Sequence, residues 1–431
     1  MISMTMDLVS LAKNLGSGDL DLLDYLDHLE NLIHEREPSV KAFLPEEGRF
    51  HRLRMQAKEL LDRYPDPRLR PLLFGVPVGV KDIFNVDGFK TYAGSQLPPE
   101  EFEGPEAESV TRLKEAGALI LGKTVTTEFA YFAPGPTSNP NNPDHTPGGS
   151  SSGSAAAVGS GMCPLALGTQ TIGSINRPAS FCGVVGFKPS YERVSRIGVV
   201  PVSESLDHIG CFTGNVSGTS LAASVLIPDW KPVSSRSRLR LGVPEGPYLA
   251  EASSEGLEHF STCIDRLTSE GYEIVRRKVM PDFEHIAERH QQIMAAEMAR
   301  VHEQWFVKYK SLYHEKTANL IREGQTISDE ALREALPGRE ALRQELMTIM
   351  EAEGVDLWIA PAARGTAPFG LESTGDPIMN LPWTHSGLPS ISLPSGFNQT
   401  GLPFGLQVIG KWYGDEQLLV WSGEIEKILR Q

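Results

Sequence analysis

Residues 146–190 read Thr146-Pro-Gly-Gly-Ser-Ser-Ser-Gly-Ser-Ala-Ala-Ala-Val-Gly-Ser-Gly-Met-Cys-Pro-Leu-Ala-Leu-Gly-Thr-Gln-Thr-Ile-Gly-Ser174-Ile-Asn-Arg-Pro-Ala-Ser-Phe-Cys-Gly-Val-Val-Gly-Phe-Lys-Pro-Ser190. Glycines and hydroxyls are packed around the apolar runs Ala155–Val158, Cys163–Leu167 and Phe181–Phe187. A solvated Gly/Ser linker has no use for such runs. Apolar segments bounded by Gly and Pro instead fit buried strands or helices.

Working outward, Leu73–Phe84 reads as a strand with Val76, Val78 and Val80 on one face and Pro77, Gly79 and Lys81 on the other. Asp82 then points away from Lys81 and is not expected to hold its ammonium. Residues 107–116 read as a helix and Ala118–Leu121 as a buried strand. Gly117–Thr124 matches the phosphate-loop pattern G-x-x-x-x-G-K-[ST]. A phosphate loop needs free backbone N–H groups and a helix behind it, whereas Ala-Leu-Ile-Leu spends those groups on a sheet. Nucleotide binding is therefore rejected.

Residues 19–35 and 47–63 carry helical periodicity, and 133–149 form a Pro/Asn/Gly-rich loop entering the central stretch. Downstream, Val194–Val202 reads as strand and turn, 203–207 as a polar turn and 216–226 as a helix. Strands at Leu239–Val243 and Tyr272–Val279 flank a helix at 255–269. Residues 281–353 read as helical, with two helices after 305 split at Pro337-Gly338. Leu357–Ala360 is a strand, 380–385 a loop, Ser390–Pro394 and Pro403–Ile409 late strands, and 416–429 the closing helix. Strands alternating with helices imply a layered α/β protein.

Composition bounds the function. The chain has 431 residues, 40% hydrophobic and 22% charged, enough for a large core. A net charge of −15 argues against a nucleic-acid binder. Four cysteines (Cys163, Cys182, Cys211, Cys263) without a paired spacing suggest buried thiols rather than zinc ligands or disulfides. There is no apolar run of about eighteen residues and no leader-like start, so no membrane partner and a cytoplasmic setting are expected.

The central stretch resembles the signature of the amidase signature family of serine hydrolases. The matching residues are Gly148-Gly149-Ser150-Ser151, Ala166-Leu-Gly-Thr169, Gly173-Ser174-Ile175, Pro178-Ala179 and Phe181–Pro189, with Gly79-Val80-Lys81-Asp82 upstream. The resemblance implies an α/β fold with a central mixed sheet of about eleven strands covered by helices on both faces. It also implies a single domain over 1–431, with a signature core at about 70–215 and a helical, substrate-shaping region at about 281–353. Ser174 is then the nucleophile, Ser150 the proton relay (after a cis peptide) and Lys81 the base. Ser151 is a supporting hydrogen-bonder, and the backbone N–H groups of Thr171, Ile172, Gly173 and Ser174 form the oxyanion hole. No cofactor or metal is implied. The partner is a small-molecule amide, and a homodimer is plausible by analogy.

Three residues depart from the family pattern: Gln170 stands for Asp, Ile172 for Gly, and Asn176 for Arg, with Arg177 one place later. Gln170 and Asn176 are expected to replace an ion pair with a neutral hydrogen-bonded pair. Ile172 is a concern if the family's glycine needs positive φ. Trp383, His385 and aromatics in 283–313 are candidates for the acyl pocket.

Gly149–Gly153 also satisfies G-x-S-x-G, which would make Ser151 a nucleophile with a later Asp and His385. That elbow must follow a strand, and 139–147 is a proline-broken loop. Tyr191–Arg196 and Ser205–Gly210 resemble the amidase component of a glutamyl-tRNA amidotransferase, the main alternative to a free-standing amidase. A hydrolase of urea derivatives is a minor one.

Overall fold

The computed structural model describes residues 6–234 and 239–430; the rest of the expected 1–431 domain lies outside the described residues. Ten strands form one sheet: β1 (Pro77–Lys81), β2 (Leu119–Thr124), β3 (Leu165–Gln170), β4 (Val185–Lys188), β5 (His208–Thr213), β6 (Arg240–Glu245), β7 (Glu273–Lys278), β8 (Leu357–Pro361), β9 (Ser390–Phe397) and β10 (Pro403–Ile409). Their order is β2-β1-β3-β5-β4-β9-β10-β8-β6-β7. The outer triples β2-β1-β3 and β8-β6-β7 are parallel, and the pairings between them are antiparallel. Every residue of β1, β2 and β3 is buried, which explains the apolar run of β2 and shows that both faces of β1, which read as alternating, are covered.

The described residues hold ten strands where about eleven were expected. In 194–202 only Val199 bridges, to Phe84. Val200 N–H donates to Ile83 O and Asn85 N–H to Gly198 O, both at 2.8 Å, so the segment pairs briefly with the turn after β1, and Pro201, without an N–H, does not extend it into a strand. The Gly117–Thr124 pattern lies largely in β2, its backbone paired with β1. Lys123 points into the interior and meets Asp82 Oδ1 at 2.7 Å, so Asp82 does turn away from Lys81.

Helices flank the sheet. Leu22–Val40 starts at Asp21, whose carboxylate accepts from the N–H of Leu23 and Asp24. Arg49–Arg63, Val216–Leu226 and Ser254–Ser269 fall where periodicity placed them. Four helices carry the site: α1 (Ser152–Gly159), α2 (Asn176–Cys182), α3 (Phe283–Val301) and α4 (Leu381–His385). α1 is built of Ser, Gly, Ala and Val because it runs against the chain: a side chain at Gly153 would overlap the backbone of Ala42 and Val125.

The 281–353 region is more broken than expected. After α3 come Glu303–Tyr309, Glu315–Gly324, Asp329–Ala335 and Pro337–Ala352. The extra break follows Gly324, and Ser328 restarts the helix by accepting from Ala331 N–H. Residues 381–385, expected as loop, form α4. All four cysteines are buried, and burial raises their thiols, to about 12 for Cys163 and Cys211 and about 11 for Cys263. Among the described residues no helix is long and apolar enough to cross a membrane, and no His/Cys/Asp/Glu group could hold a metal.

Candidate active site

Parallel pairing of β1 with β3, Val80 opposite Leu167, brings both carboxyl ends to one edge of the sheet. Lys81 ends β1, and the turn 171–175 follows β3, so both arrive where ligands are commonly met in such sheets. Lys81 is fully buried. Its Nζ lies 2.7 Å from Ser150 Oγ and 2.8 Å from Thr169 Oγ1. Burial pushes the ammonium well below its ordinary value, and the charge of Asp207 opposes that only in part. With two hydroxyls and no carboxylate in contact, the environment favours the neutral amine.

Ser150 follows a cis peptide from Gly149. Ser151 Oγ donates to Thr169 O at 3.2 Å and accepts from Thr169 N–H at 3.3 Å, which fastens the start of α1 to β3. The hydroxyl of Ser151 therefore faces the sheet, and the ring nitrogens of His385 have no hydrogen-bond partner among the described residues. The elbow triad is not assembled.

Ser174 sits on the turn between β3 and α2 and shares a narrow cleft with Ser150, Thr171, Ile172 and Arg177. Ala130, Tyr131, Phe132, Val202, Met294 and Pro377 complete its walls. Trp383 and His385 do not line it. Trp383 is buried within α4, its indole N–H donating to Tyr248 at 2.9 Å.

The turn is held from three sides. Gln170 Oε1 accepts from the backbone N–H of Ile175 (2.8 Å) and Asn176 (2.9 Å), while its Nε2 donates to Thr384 Oγ1 at 2.9 Å. Thr384 Oγ1 in turn donates to Ile172 O at 2.6 Å. Thr171 Oγ1 donates to Asp207 Oδ1 at 2.6 Å. The expected Gln170–Asn176 side-chain pair is thus corrected: Gln170 binds main chain, because the amide oxygen reaches the orphan donors of α2 first. Ile172 is not among the positive-φ residues, so it carries no backbone penalty. Gly173 does need to be glycine, since a Cβ there would overlap Asn380 Oδ1. Among the described residues, the N–H groups of Thr171, Ile172, Gly173 and Ser174 meet no acceptor.

Sequence reasoning missed Thr169, Asp207 and Thr384. Thr169 and Asp207 lie inside the motifs quoted above, where their presence was a signal without a stated role. Thr384 gave none.

The amidase family profile matches residues 37–419. The chain belongs to the amidase signature family. The A component of glutamyl-tRNA(Gln) amidotransferase from Synechococcus sp. (strain WH7803) is 31% identical, over 96% of this amidase-family chain and 95% of its own. A crystal structure of an amidase superposes with a TM-score of 0.89 at 31% identity, covering 98% of this chain and 99% of the other. A structure from an "unexpected vestigial protein complex", bearing on the origins of an s-triazine catabolic enzyme, gives 0.86 at 28%, covering 99% and 98%. Membership makes the chain an amidase-type hydrolase acting on C–N bonds. Because some relatives are by name components of a larger enzyme, a partner set limited to a small molecule does not describe the family branch as a whole.

Proposed function

We propose that the chain hydrolyses a carboxamide or related C–N bond to a carboxylate and ammonia or an amine, with Ser174 as nucleophile. Neutral Lys81 takes a proton from Ser150 as Ser150 takes one from Ser174, and Ser174 Oγ bonds to the carbonyl carbon. The free N–H groups of 171–174 receive the developing oxyanion. The proton returns from Lys81 through Ser150 to the nitrogen, the C–N bond breaks, and the amine leaves an acyl-Ser174 ester. Water then adds by the same relay, and the ester C–O bond breaks to restore Ser174 and release the acid.

One observation supports this most: a fully buried lysine in hydrogen-bond contact with a serine that opens on the same cleft as Ser174. Ammonia release across an amide panel tests it. Ser174→Ala and Lys81→Ala should each lose roughly 10³-fold or more in kcat while folding is retained. Activity that survives Ser174→Ala would end the assignment.

We also read 281–353 as the part that shapes the acyl pocket, since Met294 of α3 stands in the cleft wall. The amidotransferase relatives favour a second reading, the amidase component of such a complex. Purification from the native cell separates the two: an obligate partner that co-elutes, with no amidase activity in its absence, supports the second. Turnover of urea-type substrates alone would select the minor hydrolase alternative.

A further inference from the structure

Gln170 of β3 stands opposite His208 of β5, so the residues just beyond that rung, Thr171 and Asp207, come within reach of each other. Thr171 Oγ1 donates to Asp207 Oδ1, and the other carboxylate oxygen accepts from the N–H of Val202 (2.8 Å) and Ser203 (3.1 Å). Asp207 therefore ties the turn 171–175 to a second turn, 203–207, which belongs to no strand or helix. That second turn is clamped in its own right by one side chain of α3. Glu297 is buried, and its carboxylate accepts from Ser203 Oγ, from Ser205 N–H at 2.9 Å and from Ser205 Oγ at 2.6 Å. All three partners are donors, which suits an acceptor-only group. Met294, three residues earlier on the same helix face, stands in the cleft wall, as does Val202 beside the clamped turn.

Resting on the hydrolase reading above, we propose that Glu297 is a positioning residue for the oxyanion site. Through Ser203 and Ser205 it fixes the turn 203–207, and through Asp207 and Thr171 it sets the direction of the N–H groups of 171–174. The path touches neither the substrate nor Ser174, so its loss falls on the step in which the oxyanion develops rather than on substrate binding. A carboxylate that only anchored α3 would change stability and leave kcat per folded molecule unaltered.

The test is a double-mutant cycle on kcat. Glu297→Ala should lower kcat by about 10- to 100-fold with KM changed less than about 3-fold, and Glu297→Gln, which still accepts from Ser203 and Ser205, should keep most of the activity. In a Thr171→Val background, where the path is already cut, Glu297→Ala should cost less than about 3-fold more. Ser205→Ala, which removes one bond of the clamp, should act in the same direction but fall short of Glu297→Ala, and it carries the cycle if Glu297→Ala does not fold. Hydrogen exchange of the backbone N–H groups of 171–175 in the resting protein should quicken by about 10-fold in Glu297→Ala and much less in Glu297→Gln. That readout needs no substrate, so it judges the path even if activity survives Ser174→Ala. Unchanged exchange at 171–175, or a kcat loss that multiplies in full on Thr171→Val, overturns the proposal.

Discussion

Lys81 and Lys123 are both buried lysines on neighbouring parallel strands, and their partners separate their roles. Lys123 faces Asp82, so the pair is a matched charge, and removing one member strands the other in the interior. Lys123→Met should cost about 3–5 kcal/mol in urea unfolding. Lys81 faces only hydroxyls, so Lys81→Met should abolish turnover at a cost of about 1–2 kcal/mol. The lowered value of Lys81 also fixes a pH sign. In the proposed mechanism Lys81 acts as a neutral base, so kcat/KM should rise with pH through its depressed value, giving an acid limb without the usual lysine step near 10.5. Between that value and 10.5 the unfolded chain binds a proton that the fold does not, so this group makes stability rise with pH across that window. A pH–rate profile and urea melts at several pH values check both. Lys81 was legible because it stands in a motif on an alternating strand; its second partner, Thr169, is 88 residues away and only the sheet register brings it in.

At the scale of elements, the turn 171–175 is a short loop whose shape is imposed from outside. Gln170→Leu would leave the N–H groups of Ile175 and Asn176 unpaired inside the protein. It should lower kcat far more than it raises KM, by about 10-fold or more, while reducing stability by about 1–3 kcal/mol per orphaned group. Steady-state kinetics beside thermal unfolding distinguish this from simple loss of folded protein. β2 was readable because a fully buried parallel strand announces itself as an apolar run, whereas β5, antiparallel to its neighbours, was not read as a strand. α4 was not readable, since five residues with a proline in second place offer no period to detect. The same brevity hid the support that Thr384 gives to Ile172. A spacing of 212 residues leaves no trace in a single sequence.

At the scale of the molecule, the sheet runs unbroken from β2 to β7, and the chain crosses it repeatedly. Ser150 and Ser174 open on a cleft whose wall the later helices reach through Met294. Met294→Trp should therefore alter the preference for acyl chain length, seen as a KM shift for longer amides with short ones less affected. The layered α/β plan was legible from alternating strands and helices. The positions of the breaks in 281–353 were not, because amphipathic helices joined by short turns share one continuous periodicity.

The four cysteines have a practical consequence beyond the fold. Each is buried with a raised thiol, so the native surface offers nothing to a soluble alkylating or disulfide reagent. Colour from a thiol-reactive chromophore should develop only as molecules open, which turns these residues into an internal clock for unfolding. A single cysteine engineered on the rim of the cleft would be the sole labelling handle on the native protein, ready for a fluorophore that reports occupancy without removing any of the natural thiols.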